Sequence, residues 1–501
     1  MSAIKRNPAA SEQSTYDLII IGGGIYGAML SLEAGLRGLR SLLLEKDDFG
    51  GATSYNSLRI VHGGFRYLQS LDLKRFYESV GERRWFLKTF PNLVKPLPCL
   101  MPLYGQGAKR PSVLQGALGV NDLLSIRRNS GVIEDRQLPS GKVISVAEVR
   151  SLFPNVDVEG LQGGAVWFDA SMSDSQRILM SVLRWATTLG ATALNYVSAQ
   201  EILSSKGQVV GVRGQDTLTK EDYEYKAPIV VNACGPWSGE MANSTELFRP
   251  SLAWNLLFDR SALSHCALAI APKRPNAQTY FLHPWKNRLL AGTIHSPWNK
   301  SADVRPQPTE QQIKTFITNL NQTIPELNLQ SSEIVRVLAG VLPVKQTGST
   351  QLSSRETIVD SGKDNGIRGF YSVAGVKFTT SRLVADRTLR QIFPKQERQE
   401  KKLKEGFSIG QYDYDWWPAE DQSWLQPLKK IVTDEAVVHL DDLMFRRTSL
   451  ADNPKRSLAC SEPVSKMMAD ILGWKEQRRC EEVERLRRAV RVPESCHSVE
   501  N

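Results

Sequence analysis

The feature that most constrains this chain lies near its start. Tyr16-Asp17-Leu18-Ile19-Ile20-Ile21 is a short apolar, β-branched run of the kind that forms a buried parallel strand. It stops at Gly22-Gly23-Gly24-Ile25-Tyr26-Gly27, and the pattern predicts a helix from Ile25 to about Gly38. Gly22 permits the tight turn, Gly24 lets the backbone approach a pyrophosphate, and Gly27 lets helix and strand pack closely. Phosphate charge then falls on the free N–H groups and positive dipole end of the helix. A second strand, Ser41 to Leu44, ends at Glu45, whose carboxylate can accept hydrogen bonds from ribose hydroxyls. A lone GxGxxG is weak, but here strand, glycines, helix, second strand and acid follow in order. That is the full fingerprint of a dinucleotide-binding βαβ unit. The acid at position 45 argues against a 2′-phosphorylated ligand, because two negative groups would meet there.

The rest of the composition describes an ordinary globular protein. At 501 residues, 41% hydrophobic and 23% charged, the chain has material for two domains or more. No run approaches the ~20 apolar residues that a spanning helix needs. Met1 to Thr15 is polar and reads as a floppy lead-in without a secretion signal. Cys99, Cys234, Cys266, Cys460, Cys480 and Cys496 are scattered without metal-ligand spacing, so reduced thiols in a cytoplasmic protein are expected and no metal site is. The net charge of +10 is uneven: from Lys395 onward 19 Lys+Arg face 20 Asp+Glu, leaving 44 against 33 before it. Such an excess suits an anionic substrate, the dinucleotide itself, acidic lipid or nucleic acid, and equally a solvated basic surface.

Further patches decide which dinucleotide. The run from Gly50 to Leu68 contains Thr53-Ser54, Arg59-Ile60-Val61-His62-Gly63-Gly64 and Arg66-Tyr67. Glu82-Arg83 and Lys95-Pro96-Leu97-Pro98 follow, then Asn232-Ala233-Cys234-Gly235-Pro236-Trp237 at a strand end, Gly375-Val376-Lys377-Phe378-Thr379-Thr380-Ser381-Arg382 after another, and Val438 to Thr448 near the end. In this order they resemble the FAD-dependent glycerol-3-phosphate dehydrogenases of the D-amino-acid-oxidase-like flavoprotein superfamily, and the likeness covers most of the chain. It implies an α/β fold: a Rossmann-type FAD-binding domain interwoven with an antiparallel-sheet substrate domain, plus a C-terminal helical domain. Segments at about 16–90, 165–240 and 355–394 are expected to bind FAD. Those at about 91–164 and 241–354 are expected to form the substrate domain, 395–420 a charged linker, and 421–501 the helical domain. Alternating apolar residues from Trp254 to Trp298 read as antiparallel strands, with a helix at Thr309–Asn319 and a strand at Ile334–Val344.

The resemblance implies FAD contacts from Gly22, Gly24, Gly27, Glu45, Thr53, Ser54, Arg59, His62, Gly63, Ala233, Gly235, Gly375, Lys377, Phe378 and Thr379. Strand Phe370–Ala374 turns at Gly375 into a helix Thr380–Ile392, whose N-terminal amides can stabilise negative charge at the flavin's N1–C2=O edge. Arg66, Tyr67 and Lys377 fall where family side chains meet substrate, and Arg355 falls at a substrate-anion arginine. For His62 the plainer role is to hold the Gly63-Gly64 turn, and Arg355 can equally pair with Glu356 or Asp360. His295, where the family usually has an aspartate, is the preferred general base. Together with Arg66 and Lys377 it makes the expected catalytic set.

The match loosens at one place that matters. The family's "GVRPL" arginine, which grips the substrate phosphate, is Leu342 here, in Gly340-Val341-Leu342-Pro343-Val344. Lys345 or Arg336 would have to replace it. The expectation is therefore an oxidoreductase acting on a small alcohol, a polyol phosphate or a relative of one. Electrons would pass to a quinone or other acceptor, with peripheral contact at the inner face of a membrane. Two alternatives stay open: an amine or amino-acid oxidase, and an RNA-binding or non-catalytic flavoprotein. No basic-and-aromatic stripe supports RNA, so no nucleic acid is expected.

Overall fold

The computed structural model describes residues 1–105, 107–244, 247–272, 278–301, 304–364, 366–399 and 423–490. Most of the linker expected at 395–420 lies outside them, as do 421–422 and 491–501 of the last domain.

The apolar run near the start forms strand Leu18–Ile21, with every residue buried. It pairs in parallel with Ser41–Leu44 on one side and Val230–Asn232 on the other. Thr192–Leu194 and Phe370–Ala374 extend the parallel sheet, and Thr357–Asp360 closes one edge antiparallel. Helices Ile25–Leu36, Ser175–Thr188 and Ser381–Ile392 cover it, their Leu32, Leu183 and Leu389 buried in one core with Ile20. Three distant stretches of sequence thus build a single dinucleotide domain, because a doubly wound sheet tolerates long insertions between its strands.

The insertions form a second, nine-stranded sheet. Its long strands are Val94–Leu103, Gly163–Met172, Pro250–Phe258, Arg288–Pro297 and Ile334–Pro343. All are paired antiparallel to a neighbour. The helix Glu310–Thr323, opened by a Thr309–Gln312 capping box, packs Phe316 against Trp254 and Tyr280. Two departures from expectation appear here. Strand Gly163–Met172, placed by sequence in a cofactor segment, pairs along its whole length with Val94–Leu103 and belongs to this sheet. Residues 197–226 form a separate three-stranded antiparallel sheet that the sequence reading did not separate from the cofactor segment.

Residues 1–15 are not a floppy lead-in. Pro8–Glu12 is a helix whose cap, Asn7, accepts a hydrogen bond from the Ala10 amide. Ile4 is only 2% exposed, its N–H donating to the Asp434 carbonyl. Arg6 pairs with Asp216 at 2.6 Å. Arg184 also donates to the Met1 and Ser2 carbonyls, and Pro8 and Ser11 are buried, so the segment is docked along its length. The helices after residue 423 (Leu425–Asp434, Pro454–Leu472 and Glu476–Val490) enclose a core of their own around Leu428, Leu443, Val464 and Leu486. Charge pins this unit to the dinucleotide domain. Buried Arg447 bridges both carboxylate oxygens of Asp48 at 2.7 Å, and Arg177 grips Glu435 at 2.5 and 2.9 Å. The five cysteines among the described residues are unpaired, and no described helix is long and apolar enough to cross a membrane.

Candidate functional site

Between the two sheets runs a cleft of about 960 Å³. Its floor is the glycine loop. Gly22 has φ +107°, a conformation that side chains rarely adopt, and a Cβ there would press on the Ala233 carbonyl. Gly27 lies behind the wall: a Cβ on it would overlap the Gly22 carbonyl, so its bareness sets the closeness of helix to loop. Gly24 caps the helix without a side chain, and the next amide, Ile25 N–H, is held by Ser54 Oγ at 3.0 Å. Glu45 stands at the end of its strand, accepting from the Gly23 and Asp47 amides at 2.6 and 2.9 Å. Burial pushes its carboxyl up to about 7.

The opposite wall is the large sheet. Thr53 Oγ1 both donates to the Val341 carbonyl and accepts from its amide, at 3.1 and 3.2 Å, which stitches the two domains together beside the cleft. Ala253 pairs with His295 on one side and with Gly340 on the other, so these three share the face that lines the cleft, with Leu342 beyond them. His295 Nδ1 is buried without a partner among the described atoms. Burial, then the nearby charge of Arg66, lowers its proton affinity, so its ring is neutral and free to accept a proton at neutral pH.

The end wall comes from Gly375–Thr379. Tyr26, the second residue of the glycine motif's helix, donates its hydroxyl to the Lys377 carbonyl at 2.8 Å and accepts from the Lys377 amide at 3.2 Å. Its ring fills the space a Gly375 side chain would occupy. The Lys377 ammonium bonds the Tyr67 hydroxyl and lies 4.4 Å from that ring's centre. A small adjoining cavity joins Lys377 and Tyr67 to Arg355 and Arg75.

Sequence reasoning placed Gly22, Gly24, Glu45, Thr53, Ser54, His62, Ala233, Gly235, Gly375, Lys377, Phe378, Thr379 and His295 at the site, and all of them line the cleft. Tyr67 and Arg355 line the small cavity beside it. Gly27, Gly63, Arg59 and Arg66 do not reach the cleft wall. Arg59 is buried elsewhere, its guanidinium between Tyr55 and Trp285 at 5.3 and 5.5 Å. Gly63 sits under Arg83, and its N–H donates to Asp169 at 2.7 Å. Arg66 is exposed on the short helix Phe65–Gln69. Neither expected stand-in for the missing arginine takes its place. Lys345 is exposed, and Arg336 pairs with Asp452 at 3.2 Å while packing on Tyr55 and Phe445.

Other residues escaped the sequence reading. Asp169 accepts from His62 Nδ1 at 2.9 Å, from Gly63 and from Arg83 at 3.0 Å. Burial would raise its carboxyl, but His62, Arg83 and the Gly63 amide together hold it down at about 2. Its one sequence signal was an acid in an otherwise apolar strand. Asn255, Phe445, Arg446 and Arg485 also face the cleft, so the helical unit contributes to its wall. Cys234, at the strand-end turn, is no reactive thiol, because burial pushes it up to about 12.

A parallel-sheet domain with a bare glycine cradle, a strand-end acid and a roofing antiparallel sheet defines a flavin-dependent redox protein. The chain belongs to the FAD-dependent oxidoreductase family, whose model matches residues 17–389. It is 30% identical over 412 residues to the glycerol-3-phosphate dehydrogenase of Synechocystis, covering 78% of this chain and 72% of that one. It is also 30% identical to the aerobic glycerol-3-phosphate dehydrogenase of Bacillus subtilis, over 77% and 68% of the two chains. The fold superposes on a glycerol-3-phosphate dehydrogenase from Bacillus halodurans solved with FAD, with a TM-score of 0.72, 22% identity and 96% of both chains covered. Its cofactor is FAD, and the cradle fits one: Gly22 and Gly24 bring bare backbone to the cleft beneath the helix N-terminus, where a pyrophosphate would lie. Gly22, Gly24 and Glu45 would hold the pyrophosphate and adenosine part, and Thr53, Ser54 and Gly375–Thr379 the flavin part.

Proposed function

We propose that the protein oxidises a secondary alcohol of a small polyol phosphate, glycerol 3-phosphate before others, and passes the electrons to a quinone or another acceptor at a bilayer surface. The observation that carries this reading is the convergence of Lys377, Tyr67 and Arg355 beside the cleft, with Arg66 nearby and the neutral His295 on the facing sheet. Bound flavin supplies the acceptor for hydride from the carbinol carbon. The chain does the rest: Lys377 and Arg355 hold the anion, Tyr67 fixes the Lys377 ammonium, and the His295 imidazole takes the hydroxyl proton. The names of the relatives agree with an alcohol substrate. Leu342 leaves the anion to these cations alone, so phosphate affinity is expected to be modest, a charge-assisted bidentate pair being among the stronger contacts a protein can offer.

Anaerobic mixing of the yellow protein with glycerol 3-phosphate tests the reading. Bleaching of the flavin absorbance supports it, and bleaching only by amines or amino acids refutes it in favour of C–N oxidation. Leu342→Arg is expected to lower the concentration of glycerol 3-phosphate that half-bleaches the flavin.

A further inference from the structure

We propose that Asn255 is a positioning residue: it locks a strained β-bulge at Thr293, and that bulge turns His295 into the cleft. Where Arg288–Pro297 runs beside Pro250–Phe258 the register slips by one residue. Asn255 pairs with Gly292, Trp254 with Ile294 and Ala253 with His295, so Thr293 is an extra residue with no partner on that strand. Side chains alternate between the two faces of a sheet, and an unbroken ladder from Gly292 onward would place them differently. Thr293 would oppose Trp254, Ile294 would oppose Ala253 on the cleft face, and His295 would oppose Leu252. Leu252 is 2% exposed and lies in the apolar core on the far side of the sheet. The one extra residue therefore brings His295 to the cleft wall and sends Ile294 to pack against that core.

The bulge needs to be held. Thr293 has φ +74°, a left-handed conformation that is rare outside glycine and least favourable for a β-branched side chain. Such a residue persists only where its surroundings over-determine it, and here each of its polar groups is engaged. Its amide donates to Asn255 Oδ1 at 3.2 Å, its hydroxyl donates to the Thr279 carbonyl at 3.2 Å, and its carbonyl accepts from Gln278 Nε2. Asn255 anchors this clamp to the rest of the wall, because its Nδ2 donates to the Asn56 carbonyl at 3.3 Å. Gly292 makes the room: a Cβ there would overlap the Asn255 amide. A buried amide beside Trp254, Leu256 and Leu257 lowers stability unless it is hydrogen-bonded, and the bonds of Asn255 go to the bulge and to Asn56. Histidine, bulge, glycine and asparagine thus form one device. Its role in turnover rests on the reading of His295 as proton acceptor in the function proposed above.

Anaerobic rapid mixing of the FAD-loaded protein with glycerol 3-phosphate tests it, beside carbethoxylation of His295 followed by peptide mass spectrometry. Asn255→Leu is expected to slow the limiting rate of flavin reduction about a hundredfold, the scale of a misplaced reacting group, while the half-saturating concentration stays within about threefold. In a His295→Asn background the same substitution should cost less than about threefold more, because Asn255 acts through that ring. Adding Thr293→Gly to Asn255→Leu should restore about tenfold, since glycine takes the left-handed conformation without a clamp. Diethyl pyrocarbonate should modify His295 at least about tenfold more slowly in Asn255→Leu than in the wild type, as the ring leaves the cleft wall for the core. Should Asn255→Leu lose its flavin, Gly292→Ala decides, its Cβ displacing the Asn255 amide with the same expected losses. An unchanged reduction rate, unchanged modification, or a loss that adds to that of His295→Asn overturns the proposal. If His295→Asn leaves reduction undiminished while Asn255→Leu still shields His295 from the reagent, the proton-acceptor reading fails and the bulge lock stands.

Discussion

Tyr26→Phe removes one oxygen and tests how the glycine helix and the Lys377 turn act on one another. The hydroxyl makes two bonds to the same residue: it donates to the Lys377 carbonyl at 2.8 Å and accepts from the Lys377 amide at 3.2 Å. Burial raises the phenol far above its usual range, so it stays protonated at every working pH and both bonds persist. Without it the carbonyl keeps only a long contact from Thr380 Oγ1 at 3.5 Å, and the amide keeps none among those described. Two ordinary hydrogen bonds are worth about 0.5–1.5 kcal/mol each, and more where a partner is left unsatisfied. Tyr26 borders the cleft, so water can replace part of the loss, and the total comes to roughly 1–3 kcal/mol. In a chain of this size that is a fall of only a few degrees in Tm.

The larger effect is expected in catalysis. A displacement of the Lys377 backbone on the order of 1 Å is enough to cost about a hundredfold in rate, because in the proposed function the ammonium must meet substrate and Tyr67 at once. Tyr26→Phe should therefore lower kcat far more than its modest Tm change suggests. Steady-state kinetics beside thermal unfolding measures both. The companion pair is Gly375→Ala alone and with Tyr26→Leu. A Cβ at position 375 overlaps the Tyr26 ring, so removing the ring should relieve the alanine and give a coupling of about 1 kcal/mol or more. If Tyr26→Phe leaves kcat within twofold, or if the two substitutions simply add, the positioning argument is wrong.

Two further outcomes are expected. Glu45 is raised from 4.5 to about 7 in the protein without ligand, so between those values the folded apoprotein holds a proton that the unfolded chain has released. Its contribution is present below about 4.5 and lost as pH rises through 7; apoprotein Tm should fall across that window, Glu45→Gln should flatten the slope, and a rising slope in the wild type would refute the assignment. Arg447→Met leaves Asp48, 2% exposed, with Arg446 as its one remaining cation and should cost about 3–5 kcal/mol in denaturant unfolding, most of it returned by adding Asp48→Asn; a double variant no better than the single would show that packing, not charge, sets the loss.

The dinucleotide half was legible because its signals are local. Gly22, Gly24, Gly27 and Glu45 lie within one βαβ unit, and a turn that excludes side chains reads directly from glycine. Strand Phe370–Ala374 and the helix after it were legible for the same reason. What sequence did not reveal depends on long-range partners. Nothing near Ile4 announces Asp434, and nothing near Gly163 announces that its strand pairs with Val94–Leu103 and not with the parallel sheet. Arg59 was an expected cofactor contact through the resemblance alone. Its φ of +65° and the aromatic slot of Tyr55 and Trp285 turn it inward, and spacing does not report that.

The substrate end is where local and long-range reasoning meet. Lys377, on the cleft wall, and Arg355, in the cavity beside it, come from the dinucleotide-domain stretches of sequence, while the facing sheet presents Ala253, Gly340, Leu342 and His295. At this end Lys377 stands on one wall of the cleft, and the patch of Ala253, Gly340, Leu342 and His295 on the other holds one ionisable side chain. In the proposed reading a substrate of mixed character has one orientation that satisfies both: its anion toward Lys377 and Arg355, its carbon chain against Leu342, and its hydroxyl toward His295. An arginine at 342 would place charge on both walls and weaken that preference. Leu342→Arg should thus bind glycerol 3-phosphate more tightly while raising the turnover number little or lowering it, because the added affinity is shared by the bound substrate and by orientations that do not react. Tighter binding with a proportionate gain in kcat would mean that the anion sits on the sheet side, and the orientation argued here would be reversed.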